Sequence, residues 1–280
     1  MLTVLDIIRR TTEFFQTKGI ETPRLDAELL LSHSLGMKRM ELYLQFERPM
    51  TDAELEKLRP LVRRRGTREP LQHIVGDLEF ANVVLKTDRR ALIPRPETEE
   101  LVEHIASELT APPARIADLG TGSGAIALAL ADRFPEASVT AVEISEDAAA
   151  LARENAARVP AGERVSIVVG DWKTVLAGGR FDLIVSNPPY LTVDEVASAA
   201  PEVRDFEPHG ALAAGDTGRA ALEEIIRLAP GALTADGLLA LETGIDQHEA
   251  LLRAAEIGGF ATRKSAKDLS GRDRFLFLRR

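Results

Sequence analysis

The sequence predicts an α/β fold: a mostly parallel sheet with helices on both faces, preceded by a small helical domain. Three observations predict it. From residue 115 onward, strand-like apolar runs alternate with alanine-rich helical stretches. A glycine triplet, Gly120, Gly122 and Gly124, joins the first of those runs to the first of those helices. Ahead of them, residues 1–70 carry helix-start and helix-stop signals without a strand pattern. At 280 residues the chain has room for one large domain or two ordinary ones, and for a core that needs no disulfide or metal.

The elements follow in order. Leu5, Ile8 and Phe15 mark one apolar stripe at helical spacing. Thr22 before Pro23 reads as an N-cap with proline at the first helical position, and Gly36 closes that helix. Thr51-Asp52-Ala53-Glu54 is a capping-box pattern. It opens a third helix that runs into Arg63-Arg64-Arg65 and stops at Gly66. Basic residues in a last turn complement the helix dipole; the other use of the triplet is a contact for an acidic partner. From Leu78 the pattern changes. Residues 80–85 (FANVVL), Asp88-Arg89-Arg90 and Ala91-Leu92-Ile93 predict a hairpin stopped by Pro94. Pro96, with Glu97, Glu99 and Glu100 behind it, starts a helix whose apolar stripe is Leu101, Val102, Ile105 and Leu109. Strand runs follow at 115–119, 138–144, 165–169, 181–186, 238–242 and 274–278, with helices at 125–133 and 146–158. These divisions predict a helical domain over 1–76, a hairpin linker over 77–95 and the α/β domain over 96–280.

Composition narrows the function. There is no cysteine, which excludes thiolate metal sites and cysteine nucleophiles and fits a reducing cytoplasm. The start lacks the apolar core and small-residue cleavage site of a secretory signal. The longest apolar run, 125–131, is far short of the roughly 20 residues of a membrane span. The five histidines, at 33, 73, 104, 209 and 248, form no HxxxH or HExxH pair, so no metal is expected. In residues 1–88, 14 basic and 14 acidic residues cancel, so the whole net charge of −9 belongs to 89–280. A protein built to hold a phosphate backbone should have the opposite sign.

Asp118-Leu119-Gly120-Thr121-Gly122-Ser123-Gly124 links strand to helix, and its glycines let the backbone approach a ligand closely. Glu143, 19 residues past Gly124, stands where an α/β nucleotide-binding unit places the acid that accepts from ribose hydroxyls. The spacing is G-x-G-x-G, not the G-x-G-x-x-G of a dinucleotide site, and Asp118 immediately precedes it. An anion there repels a pyrophosphate and attracts a ligand with ammonium and sulfonium charge, which favours S-adenosylmethionine over NAD. Asp171-Trp172 suits the adenine end, a carboxylate for the exocyclic amine and an indole against the ring. Taken alone, Trp172 fits a core role equally well.

The strand 181–186 runs into Asn187-Pro188-Pro189-Tyr190. In open α/β sheets the ligand crevice lies beyond the carboxyl ends of the strands, so this loop should face the glycine loop. Two prolines stiffen it and leave free carbonyl acceptors; Asn187 adds a side-chain carbonyl and Tyr190 a flat face. Together they describe a rigid receptor for a planar NH2 group. An amide nitrogen is a poor nucleophile, so holding both hydrogens while aiming its lone pair at a methyl group is catalysis by orientation and electrostatics.

DLGTGSG, the acid Glu143 and NPPY in that order resemble a class I S-adenosylmethionine-dependent methyltransferase acting on a planar nitrogen. PLQHIVG (70–76), IPRPETE (93–99) and EPHGAL (207–212) narrow the resemblance to the HemK/PrmC family, the peptide chain release factor glutamine N5-methyltransferases. The resemblance implies a doubly wound, mostly parallel seven-stranded sheet with a small N-terminal helical domain that docks the substrate. It implies N5-methylation of the glutamine in the Gly-Gly-Gln loop of class I release factors by a cytoplasmic monomer. It implies a donor pocket of Gly120, Thr121, Gly122, Ser123, Gly124, Glu143, Trp172 and Asn187, to which the reading of ligand charge and of the adenine end adds Asp118 and Asp171. Asn187, Pro188, Pro189 and Tyr190 would hold the glutamine amide; Glu97 and Thr98 receive no catalytic step, and no dedicated base is identified. A nucleic-acid amino methyltransferase shares NPPY but should carry a basic recognition region, and here basic residues cluster only between Lys57 and Arg68. Methylation of a ribosomal-protein glutamine and a non-catalytic donor-binding module stand as further alternatives.

Overall fold

The structure, a computed structural model, describes residues 2–280 and divides into two compact units. The first takes in the chain up to Gly76 together with Ala200–Phe206; the second is Asp77–Ala199 with Glu207–Arg280.

In the first unit the sequence signals act as physical caps. The helix Val4–Thr17 (α1) buries Ile8 and Phe15 against Leu30 and Leu31 of Pro23–Leu35 (α2). Gly36 ends α2 in the left-handed conformation, φ 65°. Thr22 bonds not to a backbone amide but to the Asp26 side chain, at 2.7 Å. A short helix, Arg39–Tyr43 (α3), adds Leu42 to the core. The capping box of Asp52–Gly66 (α4) closes reciprocally: Thr51 N–H donates to Glu54 at 2.8 Å, and Glu54 N–H to the Thr51 hydroxyl at 3.3 Å. The last helix of this run is Leu71–Val75 (α5), ended by Gly76.

The arginine triplet has a use that sequence patterning did not reveal: two of its members serve internal carboxylates. Arg64 donates to Glu69. Arg65 is buried, donating to Asp26 at 2.7 Å and to Glu202 at 2.9 Å. Arg68 grips the same Glu202 through both of its oxygens. Glu202 thereby ties Ala200–Phe206 to the first unit across more than a hundred residues of chain.

The second unit opens with a hairpin, but not the expected one. Asp77–Phe80 (β1) pairs antiparallel with Val83–Lys86 (β2), while Ala91-Leu92-Ile93 belongs to no strand. The turn falls at Ala81-Asn82, both at positive φ (42° and 70°). That is the backbone of a two-residue hairpin turn whose twist matches the strands. The Asp88-Arg89-Arg90 stretch looked like the turn because its side chains favour one; there Asp88 accepts from the Arg90 N–H and guanidinium. Phe80, Val83 and Leu85 are buried in the core of this unit.

Next come Pro96–Glu108 (α6), Arg115–Leu119 (β3), Ala125–Arg133 (α7), Ser138–Glu143 (β4), Glu146–Ala156 (α8) and Val165–Val169 (β5). Trp172–Gly178 (α9), Phe181–Ser186 (β6) and Val193–Ser198 (α10) follow, then the one-turn helix Pro201–Arg204 (α11) of the first unit. Ala220–Ala232 (α12), Leu233–Glu242 (β7), His248–Ile257 (α13), Thr262–Lys267 (β8) and Asp273–Arg279 (β9) complete the chain.

The strands form one seven-stranded sheet, ordered β5-β4-β3-β6-β7-β9-β8, and only β9 runs against the rest. Successive strand residues point to opposite faces, and both faces are covered. Ile116, Leu183, Val185, Leu238 and Ala240 pack under α6 and α7, whereas Ala117, Ile184, Leu239 and Leu241 pack under α12 and α13. That double burial explains why the central strands read as continuous apolar runs. β8 escapes the same signal: it is an edge strand with Thr262, Arg263, Lys264 and Lys267 all exposed. Strand order reverses between β3 and β6, which opens a crevice at their carboxyl ends. Among the described residues, no helix is long and apolar enough to cross a membrane.

Candidate active site

Every element of the candidate site lies at the carboxyl edge of the sheet in the second unit. At the end of β3, Gly120, Gly122 and Gly124 take φ of 72°, 57° and 85°, which side chains rarely adopt. The loop so formed is pinned from two sides. Glu143, last in β4, accepts from Gly122 N–H with one carboxylate oxygen and from Ser145 N–H with the other, each at 2.9 Å. Buried Asn155 donates to the Ser123 carbonyl at 2.9 Å. A carboxylate has about four acceptor positions, so Glu143 holds the loop and keeps capacity for hydroxyl donors.

Asp118 lies beneath the loop, fully buried, and not on a cleft wall. Its Oδ2 accepts from the Thr121 hydroxyl at 2.6 Å and from Ala127 N–H at 3.1 Å; its Oδ1 has no partner among the described residues. Burial pushes this carboxyl up to about 7; the Thr121 and Ala127 bonds pull it down, and nearby Glu143 raises it further. An acid whose pKa is higher folded than unfolded contributes stability that is full below the unfolded value near 3.8. That contribution is lost as pH rises through about 7. Asp118→Asn therefore melts higher than the parent at pH 8, and the advantage shrinks towards pH 5. Thermal unfolding of the ligand-free proteins across that range checks it, and parallel pH profiles would contradict it.

After β5, Asp171 caps α9 by accepting from Lys173 N–H at 2.9 Å, and Trp172 donates its indole N–H to Glu224 at 3.1 Å. Sequence reasoning did not single out Glu224, which joins the site from α12. After β6 comes the rigid loop. Ser186 donates to the Leu119 carbonyl at 2.6 Å, locking the ends of β6 and β3 together. Asn187 Nδ2 donates to the Thr98 hydroxyl at 3.1 Å, and Thr98 donates to the buried Glu242 at 2.7 Å. The Tyr190 hydroxyl donates to the other Glu242 oxygen at 3.2 Å. Burial, then the Glu242 charge, pushes the Tyr190 phenol far above its ordinary value, so it stays a donor. The loop's exit is fixed by Gln247, which donates to the Tyr190 carbonyl at 2.9 Å. Gly218 lies so close that a Cβ there would sit 2.3 Å from that carbonyl oxygen.

These pieces enclose one cleft of about 470 Å3, walled by the glycine loop, Glu143, Asp171, Trp172, Asn187 and Pro189. Gly124, Pro188 and Tyr190 are not among the residues that line it. Two of the family-signature segments meet at its rim. Buried Glu207 accepts from Ile93 N–H at 3.1 Å and pairs with Arg95, so EPHGAL clasps IPRPETE. No group of three or more His, Cys, Asp or Glu residues that could hold a metal ion occurs among the described residues.

The site suits a compact cationic nucleoside. Its volume falls in the ordinary range for small ligands, about 300–1,000 Å3. Glu143, Asp171 and Glu224 line it, and the unpartnered Asp118 oxygen beneath the loop adds an unbalanced acceptor. Positive charge on a ligand offsets that excess.

Comparisons with known proteins agree. Residues 6–76 match the family model described as the PrmC N-terminal domain, and residues 96–202 match that of the methyltransferase small domain. A release factor glutamine methyltransferase of Geobacter sulfurreducens is 41% identical, covering 97% of this chain and 95% of its own. One from Escherichia coli is 40% identical, covering 92% and 93%. Among solved structures, the hMettl16 catalytic domain in complex with the MAT2A 3′UTR hairpin 6 has a TM-score of 0.55 at 15% identity, covering 82% of each chain. That likeness is one of fold.

Proposed function

The chain belongs to the release factor glutamine methyltransferase family, and from that premise we propose how its cleft works. The reaction is S-adenosylmethionine-dependent methylation of a release factor glutamine. The acceptor is the side-chain nitrogen of the glutamine in the Gly-Gly-Gln loop of class I factors. The observation that carries this reading is the shared cleft: Asn187 and Pro189 on the end of β6 face the same space as the glycine loop on the end of β3.

The residues divide the work. The glycine loop, Glu143, Asp171 and Trp172 hold the donor, with Asp118 beneath the loop as a buried acid whose unpartnered oxygen is an acceptor. The chemistry that S-adenosylmethionine supplies when bound is an electrophilic methyl on a sulfonium, with neutral S-adenosylhomocysteine as the departing product. Asn187 Oδ1 and the proline-loop carbonyls accept the two N–H bonds of the glutamine amide, while Tyr190 backs the loop. Two acceptors on a stiff loop strip the acceptor nitrogen of water, fix its plane and leave its lone pair facing the donor site. They also stabilise the positive charge that grows on the nitrogen as it is alkylated, until the methylated amide gives up one N–H proton to solvent. The acidic lining of the donor half disfavours a nucleic-acid phosphate backbone in the same cleft.

We assign residues 1–76 to docking the release factor, 77–95 to the connecting hairpin and 96–280 to methyl transfer, in a monomer acting in the cytoplasm. Two features support this: Met40 and Leu44, four residues apart and 72% and 87% exposed in the first unit, and the absence of cysteine. With labelled donor, label should pass to a release factor and not to its variant with the loop glutamine replaced by alanine. Label on the variant, or only on a ribosomal protein or DNA, would overturn the assignment.

A further inference from the structure

Asn187 can face the acceptor in two ways. With its oxygen outward it accepts an N–H; with its NH2 outward it presents donors to donors and repels the substrate. The two faces of an amide have nearly the same shape, so sterics alone do not choose. Hydrogen-bond polarity does.

The choice is traceable to one buried carboxylate. Glu242 ends β7 and is 1% exposed; the parallel register Ser186–Leu241 sets it beside Asn187. A carboxylate only accepts. The Thr98 hydroxyl, 2.7 Å away, has a single proton and must give it to Glu242. Its oxygen is then an acceptor toward Asn187, which must turn Nδ2 inward, at 3.1 Å. Oδ1 takes no hydrogen bond among the described residues and is left for the cleft. The other Glu242 oxygen receives the Tyr190 hydroxyl, so one carboxylate anchors both polar side chains of the loop.

We propose that Glu242, acting through Thr98, is a positioning residue that sets the amide polarity of Asn187 and thereby makes the cleft selective for an NH2 acceptor. This rests on the reading of Asn187 as the amide receptor. Burial of an ionised carboxylate requires compensation, and two hydroxyl donors and a nearby guanidinium supply part of it. The net direction of the Glu242 carboxyl is up: burial is the largest cause and the Glu97 charge adds to it, against the Thr98 hydroxyl, the Arg274 charge and the Tyr190 hydroxyl, which favour the ionised form. Arg274 also donates to the Thr243 carbonyl at 3.0 Å, which fixes it at the end of the same strand.

The experiment uses Thr98→Val, Thr98→Ser and Glu242→Gln in the full-length protein. Valine removes the hydroxyl at constant volume, and glutamine replaces an obligate acceptor with a group able to donate or accept. Thr98→Val should lower kcat roughly tenfold to a hundredfold, with donor affinity by calorimetry nearly unchanged. Its melting temperature falls because a buried Glu242 oxygen loses its donor, so kcat is read at a temperature where the variant is fully folded. Thr98→Ser should restore most of that loss, and Glu242→Gln should lower kcat as well. In the ligand-free protein, the Asn187 side-chain amide, assigned by difference from Asn187→Ala, should show one proton protected from exchange. That protection should vanish in Thr98→Val. Wild-type kcat in Thr98→Val, no rescue by serine, or an unprotected parent amide would overturn the proposal. A parent enzyme that methylates no release factor would contradict the functional reading instead, and the exchange measurement would still decide the amide polarity.

Discussion

Asn187→Ala lowers turnover on the release factor by about 10²–10³-fold while changing donor affinity far less. The size follows from what is removed. Asn187 supplies the one side-chain acceptor on the β6 loop that lines the cleft, held by Thr98 at 3.1 Å. Loss of a preorganised group that strengthens its contact in the transition state costs this much in other acyl and group-transfer sites. The donor, by contrast, keeps the glycine loop, Glu143, Asp171 and Trp172. Calorimetry with the donor and single-turnover kinetics separate the two. Near-normal turnover would refute the amide-receptor role, and a matching collapse of donor binding would show that Asn187 serves the donor instead.

The second large effect is on stability. Arg65→Ala should destabilise the protein by about 3–5 kcal/mol, because it leaves a buried carboxylate without its cation. Arg65 and Asp26 have side chains only 6% and 5% exposed, and their contact is 2.7 Å. Glu202 loses one partner but keeps Arg68, and Asp26 keeps the Thr22 hydroxyl. Replacing the pair together, Arg65→Met with Asp26→Leu, should recover most of the loss, since a well-packed apolar pair no longer carries the desolvation cost. Denaturant unfolding reads both. A loss below about 1 kcal/mol for Arg65→Ala would mean that water reaches Asp26 in solution.

Much of the site was legible because its signals are local. Strand, glycine triplet and helix follow one another within residues 115–133, and a strand leads straight into NPPY, so turn chemistry and periodicity suffice. β3, β5, β6 and α7 have the bounds that pattern predicts. The rest depended on distance or exposure. The hairpin shifted because Ala81 tolerates positive φ there while the sequence advertises a turn at Asp88. β8 has no buried face to leave a pattern. Thr98 and Glu242 stand 144 residues apart, and Arg65 and Glu202 stand 137 apart; no local period connects either pair. Sequence and charge put Asp118 next to a cationic ligand but say nothing of its depth; it lies under the loop, bonded to Thr121 and Ala127.

If this cleft methylates a glutamine amide on a release factor, the modified peptide itself carries the proof. Mass spectrometry of the Gly-Gly-Gln peptide, taken from an unmodified class I release factor incubated with the enzyme and S-adenosylmethionine, tests it most directly. The expected peptide is heavier by one methyl group, with fragmentation placing it on the glutamine side chain and none formed by Asn187→Ala. An unchanged peptide beside a methylated ribosomal protein or nucleic acid would contradict it.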